Sequence, residues 1–294
     1  MSVNRYEVTL NGVSMASLHP SIVITDVQYE PASYGLETYT IAKRQGARIS
    51  RKHKDRAAVS ISFMVRAYNT AERQSIVQDI ISWARNGGDL RINDRPGQFL
   101  QCICEQLPGV DTVRGWTSEM SITFAAYAIP YWQSVNYTTL TISTTETSYI
   151  GETGTIYVPG NAPLAFVEVD VAVDNESNLS GFWIEFPDVD PTGLNFQDPT
   201  MFKVRTDGRT GENAHFIVSY DENGILSVVK EYDSGGEHRS SSYLSGLEGC
   251  DEIVVPCGET STFRCVGIKT WGEGGSIHEW AKCDFTLKVR GLWE

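Results

Sequence analysis

"AAVSISFMVRAYNTAERQSIVQDIISWARNGGDL", residues 57–90, changes its hydrophobic period part-way along. In the first part Val59, Ile61, Phe63 and Val65 alternate with Ser60, Ser62, Met64 and Arg66, the repeat of a strand buried on one face. After Asn69 the repeat lengthens. Ile76, Val77, Ile80, Ile81 and Ala84 recur at helical spacing and form one narrow apolar stripe. Asn69 can cap this helix, and Glu72 completes a capping-box pattern in which Asn replaces the usual Ser or Thr. Asn86-Gly87-Gly88 ends it with residues that tolerate the left-handed conformation. So narrow a stripe suits a helix lying on one face of a sheet rather than inside a bundle.

The flanking sequence supplies that sheet. Upstream, "YEVTLNGVSM" sets Asn11-Gly12 between extended runs, a strong hairpin signal because both turn positions need positive φ. "SIVITDVQYE" follows as a β-branched strand. In "ETYTIAKRQGARIS", Gln45-Gly46 can close a hairpin that brings Ile41 near Ile49. Downstream, "DLRINDRPGQFLQCICEQL" reads as strand, turn and strand, and "GWTSEMSITFAAYAIPYW" as a strand ending at Pro130. No second convincing helix is visible anywhere in the 294 residues.

From about Asn136 the texture becomes Thr-, Ser- and Gly-rich, and short strands recur between polar turns. In "AFVEVDVAV" the valines at 167, 169, 171 and 173 share a face opposite Glu168 and Asp170, and Asp221 to Gly224 looks like a hairpin tip. Many short strands without helices predict an antiparallel β-sandwich. Two domains are expected, 1–133 and 134–294. Charge divides the same way: 14 Lys/Arg against 12 Asp/Glu in the first part, 10 against 25 in the second, for the overall −13. The N-terminal residues have no apolar core of a signal peptide, and "PLAFVEVDVAV" is interrupted by two carboxylates, so synthesis in a host cytoplasm and no membrane insertion are expected.

Three features stand in the order found in the distal tail protein (Dit) family of long-tailed bacteriophages: the opening "VTLNG", the strand–helix unit quoted above, and "AIPYWQS" before the domain change. "VPGNAPLAFVEVDVAV" is similar to the entry into that family's second domain. The resemblance implies a mainly β chain: an N-terminal ring-forming (belt) domain with one α-helix and an extended hairpin arm, then a galectin-like β-sandwich. It further implies a homo-oligomeric ring, usually six-fold, at the distal end of the tail in the virion. There it would contact the tail tube protein on one side and a tail-tip hub or baseplate protein on the other. The second domain departs from simpler members in its length, acidity and cysteines.

One stretch needs an explanation within an acidic protein. "IAKRQGARISRKHKDR", residues 41–56, carries seven Lys/Arg and one Asp, a local charge of +6. It can grip phosphates, lie solvated, or form a strand-pairing arm. Nucleic-acid binding is not expected, because aromatic interleaving and any nucleic-acid motif are missing. A strand-pairing arm is expected, with Arg44, Arg48, Arg51, Lys52 and Lys54 as subunit-interface residues, since bare strand edges are pairing templates and complementary charge selects the partner.

Motifs for chemistry are scarce. G-x-S-x-G, P-loop, H-E-x-x-H and G-x-G-x-x-G patterns are missing, and His19, His53, His215, His238 and His278 have no nucleophile at a meaningful spacing. No enzyme activity, metal or cofactor is expected. Cys102 and Cys104 share one strand face and read as small buried hydrophobes. Cys250, Cys257, Cys265 and Cys283 can hold a metal with His278 nearby, pair as disulfides, or stay inert; without a C-x-x-C knuckle the inert reading is preferred. Asp188 to Gly193 has oxygen ligands spaced as in calcium loops but reads as a turn. An alternative function is a carbohydrate- or receptor-binding module acting on the host surface through the sandwich. Trp271 and Trp280 are its candidate sugar-stacking residues, and Trp183 is assigned to the core.

Overall fold

A computed structural model describes residues 5–40, 47–109, 117–146, 151–173, 179, 181–186, 201–205, 215–220, 225–233, 238–242, 247–249, 252–271 and 277–294. It divides into two units, one of residues 1–135 with 293–294, the other of residues 136–292. Two consecutive domains were expected. Instead the chain re-enters the first unit at its last two residues, where Trp293 packs against that unit's core.

In the first unit the elements begin with β1 (Val8–Leu10), β2 (Val13–Ser14), α1 (Met15–Leu18) and β3 (Ile22–Glu30). Then come β4 (Tyr34–Thr40), β5 (Ala47–Lys54), β6 (Ala57–Arg66) and α2 (Thr70–Ala84). The last are β7 (Gly88–Ile92), β8 (Gln98–Gln106), β9 (Thr117–Ala126) and β10 (Trp132–Ser134). The main sheet runs β2-β1-β7-β8-β9-β6-β3, with β10 beside β8. The four alternating apolar residues of β6 are buried, as are Ile76, Val77, Ile80 and Ala84 of α2, and all join one core. Trp83 of α2 meets Phe124 of β9 edge-on at 6.0 Å, so the helix lies on this sheet as its narrow stripe requires.

Both ends of α2 follow the sequence signals. The Glu72 N–H donates to Asn69 Oδ1 at 2.9 Å, while the Glu72 carboxylate accepts from the Tyr68 N–H at 2.7 Å, one residue earlier than in a capping box. Gly87 has φ of 64°, and a Cβ there would stand 2.2 Å from the Cys102 carbonyl oxygen, so only glycine fits where the chain turns back under β8. Asn11 and Gly12, with φ of 51° and 80°, form the two-residue turn between β1 and β2. The Asn11 side chain also accepts from Asp89 N–H and donates to Gly87 O, tying the first hairpin to the helix exit. The single turn of α1 was not expected; it buries Met15.

The second unit starts with β11 (Thr138–Ser143), β12 (Glu152–Tyr157), β13 (Ala165–Val173), β14 (Gly181–Glu185) and β15 (Phe202–Arg205). It continues with β16 (His215–Tyr220), β17 (Leu226–Asp233), β18 (His238–Ser242), β19 (Leu247–Gly249) and β20 (Val254–Val255). It closes with β21 (Thr260–Trp271), β22 (Ile277–Trp280) and β23 (Cys283–Val289), before β24 (Leu292–Trp293) leads back. One sheet runs β11-β23-β13-β16-β17-β18, the other β12-β21-β14-β15-β19, each through antiparallel pairs. Phe182 of the second sheet meets Phe216 and Phe285 of the first at 5.6 and 5.9 Å, which makes this the expected sandwich. Tyr220 pairs with Leu226 around the expected hairpin tip; residues 221–224 lie outside the described residues, as do 188–193.

Candidate functional site: a basic ribbon and its root

β3 and β6 pair along their length, and β4 and β5 pair beyond them. Glu30 faces Ala58 and Tyr34 faces Lys54, an equal step on both strands, so the register carries across the gap between the two pairs. They are one long β-ribbon. Its ladder is interrupted at Pro31, which has no N–H to donate, and resumes where Asp55 N–H donates to Ser33 O at 2.8 Å. The inner half is embedded, since β9 flanks β6 from Ala57 to Arg66. The outer half is a two-stranded sheet to which no third strand pairs among the described residues. At strand spacing β5 alone reaches about 25 Å.

On β5, Arg48, Arg51, Lys52 and Lys54 stand opposite Tyr39, Glu37, Leu36 and Tyr34. Arg44 lies outside the described residues. Ile49 pairs with Thr38; Ile41, its expected neighbour, lies outside the described residues. Thr40 pairs with Ala47, and Gln45-Gly46 lies outside the described residues. The register shift between Glu37 and Thr38 is a local irregularity that a simple alternating pattern does not reveal.

Where the ribbon leaves the sheet there is a cleft of about 290 Å³, lined in part by Pro31, Ala57, Arg95, Trp132 and Trp293. The Arg95 guanidinium lies 4.8 Å from the Tyr29 ring centroid and 4.9 Å from that of Trp132, and these two rings meet edge-on at 5.8 Å. The Tyr29 hydroxyl donates to Asp94 Oδ1 at 2.5 Å. Burial first, then that hydrogen bond, holds the phenol protonated well above its ordinary range. Arg95 Nη1 donates to the Glu294 backbone oxygen at 3.3 Å. On the ribbon's other strand Arg56 approaches Glu30 at 3.8 Å and Glu105 at 3.3 Å. Sequence patterning singled out none of these root residues; Pro31, next after the strand-like run 21–30, is the one signal that marks a break there.

Over 98% of its length the chain superposes on 99% of the SPP1 Dit protein (gp 19.1), a paradigm of the hub adsorption apparatus in Gram-positive-infecting phages, with a TM-score of 0.63 and 10% identity. The chain has the Dit fold. A component of the phage p2 baseplate in its activated conformation aligns over 98% of both chains at 9% identity, with a TM-score of 0.45. No family model matches the chain, and no curated protein matches it in sequence.

Within this Dit fold the remaining candidates separate. Trp280 is 9% exposed and clusters with Trp183, Met201, Val266 and Ile268, so its ring is core rather than a platform for sugar. Trp271 ends β21, and its side chain lies outside the described residues. Trp183, 1% exposed, has the Lys203 ammonium 5.8 Å from its ring centroid. Cys250 and the His278 side chain are also outside the described residues, among which no group of three His, Cys, Asp or Glu is arranged for a metal. His215 lies 3.4 Å from Asp170 on the outer side of the sandwich.

Cys102, Cys104, Cys257, Cys265 and Cys283 are free thiols. Burial pushes Cys102 and Cys283 up to about 12, and Cys265 well above its ordinary value. At pH 8 a thiol of that kind is thiolate in only about one molecule in ten thousand. Alkylation of the native protein at pH 8, read by peptide mass spectrometry, is therefore expected to label half-exposed Cys104 and Cys257 well ahead of those three. Equal labelling of all five would contradict the burial.

Proposed function

We propose that this chain is a structural hub of a phage tail, ring-forming and non-enzymatic, joining the distal end of the tail tube to the tail tip or baseplate. The observation that carries this reading is the ribbon: a basic hairpin continuing past its own sheet, on a chain that shares its fold nearly end to end with a hub protein. A two-stranded hairpin is at best marginally stable in water, so this one calls for a partner strand or surface. A neighbouring copy supplies one at every position of a closed ring. Six copies, the tube protein above and a tip protein below complete the assignment. Native mass spectrometry of the purified protein is expected to show about six times the 32.6 kDa protomer mass. A protein that stays monomeric at tens of micromolar would overturn the proposal.

A further inference from the structure

The sheet that holds the inner ribbon does not fix the direction of the outer half. β9 ends its pairing at Ala57, the ladder lapses at Pro31, and the pair beyond has no third strand among the described residues. Side chains at the root must therefore set the angle. On one strand the contacts of Arg56 with Glu30 and Glu105 are partly exposed ion pairs, which restrain weakly. On the other, Tyr29 precedes Pro31 by two residues and is held three ways: by Asp94, by the edge of Trp132, and by the Arg95 guanidinium over its ring. Arg95 in turn donates to Glu294, and Trp293 and Glu294 form a wall of the cleft against Pro31, Ala32, Ala57 and Ala58.

We propose that Trp293–Glu294, acting through Arg95, is a latch that fixes the angle at which the ribbon leaves its sheet. The consequence for assembly rests on the ring reading above. A ring closes only if every copy presents its arm at the same angle, and otherwise heterologous contacts run on into open oligomers. The two residues that re-enter the first unit at the far end of the sequence thus act on an arm more than two hundred positions away. Arg95 and Trp293 are positioning residues here. Neither needs to touch a neighbouring copy.

The test is amide hydrogen exchange on the monomeric fraction of the full chain, comparing the parent with Trp293→Ala, Arg95→Ala and Trp293→Phe. In both alanine variants, exchange at residues 28–33 and 56–59 is expected to quicken about tenfold or more while α2 keeps its parent rate. Trp293→Phe, which retains an aromatic wall, is expected to restore most of the protection. Unchanged root exchange in both alanine variants overturns the latch. So does equal acceleration in α2, which marks general destabilisation, and so does a phenylalanine variant no better than alanine. If Trp293→Ala does not fold, Arg95→Ala alone decides. Failure of the parent protein to form rings would sink the hub assignment without touching the exchange result.

Discussion

Reversing charge at Arg44, Arg48, Arg51 and Lys52 to Glu is expected to yield folded protomers that no longer form rings at physiological salt. The described part of this arm pairs strand to strand within the ribbon, outside the strand order of the main sheet, so the fold is expected to tolerate the change. Each lost charge-complementary contact is worth up to about 1 kcal/mol at a partly screened interface. Four together weaken each subunit contact by up to about a thousandfold. On the proposed ring reading the parent oligomer is also expected to loosen as salt rises, because counter-ions screen charge complementarity. Native mass spectrometry with circular dichroism reads both halves of the result. Intact rings in the reversed variant, or an unfolded protomer, would remove the arm from the mechanism.

The second large effect lies in the sandwich. Glu185 of β14 and Arg264 of β21 occupy paired register positions, and Arg264 Nη1 donates to Glu185 Oε2 at 2.9 Å, the side chains being only 3% (Arg264) and 6% (Glu185) exposed. Replacing Arg264 with Met leaves a buried carboxylate without this cation, expected to cost about 3–5 kcal/mol. The double variant Glu185→Leu with Arg264→Met removes both charges and is expected to recover most of that loss. Denaturant titration of the two variants beside the parent checks the prediction. A single variant within about 1 kcal/mol of the parent would mean that water, or other groups, already stabilise the carboxylate.

Much of the first unit was legible because its signals are local. The strand period of 59–65, the Asn69 cap, the glycines after α2 and the Asn11-Gly12 turn each depend on residues within a few positions of one another. The alternation of Val167 to Val173 announced a half-buried strand for the same reason. Strands such as β18, "HRSSS", and β19, "LEG", carry no apolar alternation and became visible only through their partners β17 and β15. Trp280 looked like a ligand platform because exposure is not written in a residue's type.

By itself the sequence determined the two architectures, the helix with both its ends, and a basic segment set between strands, since backbone preference and side-chain period act over a single turn or pleat. Tertiary structure alone decided that this segment extends the β3–β6 ribbon with its register carried across Pro31, that residues 293–294 return to the first unit, and that Arg95 joins Tyr29 and Trp132 to Glu294. Those contacts span tens to hundreds of positions. They exist only once the strands have taken their order in the sheet, and no local period encodes that order.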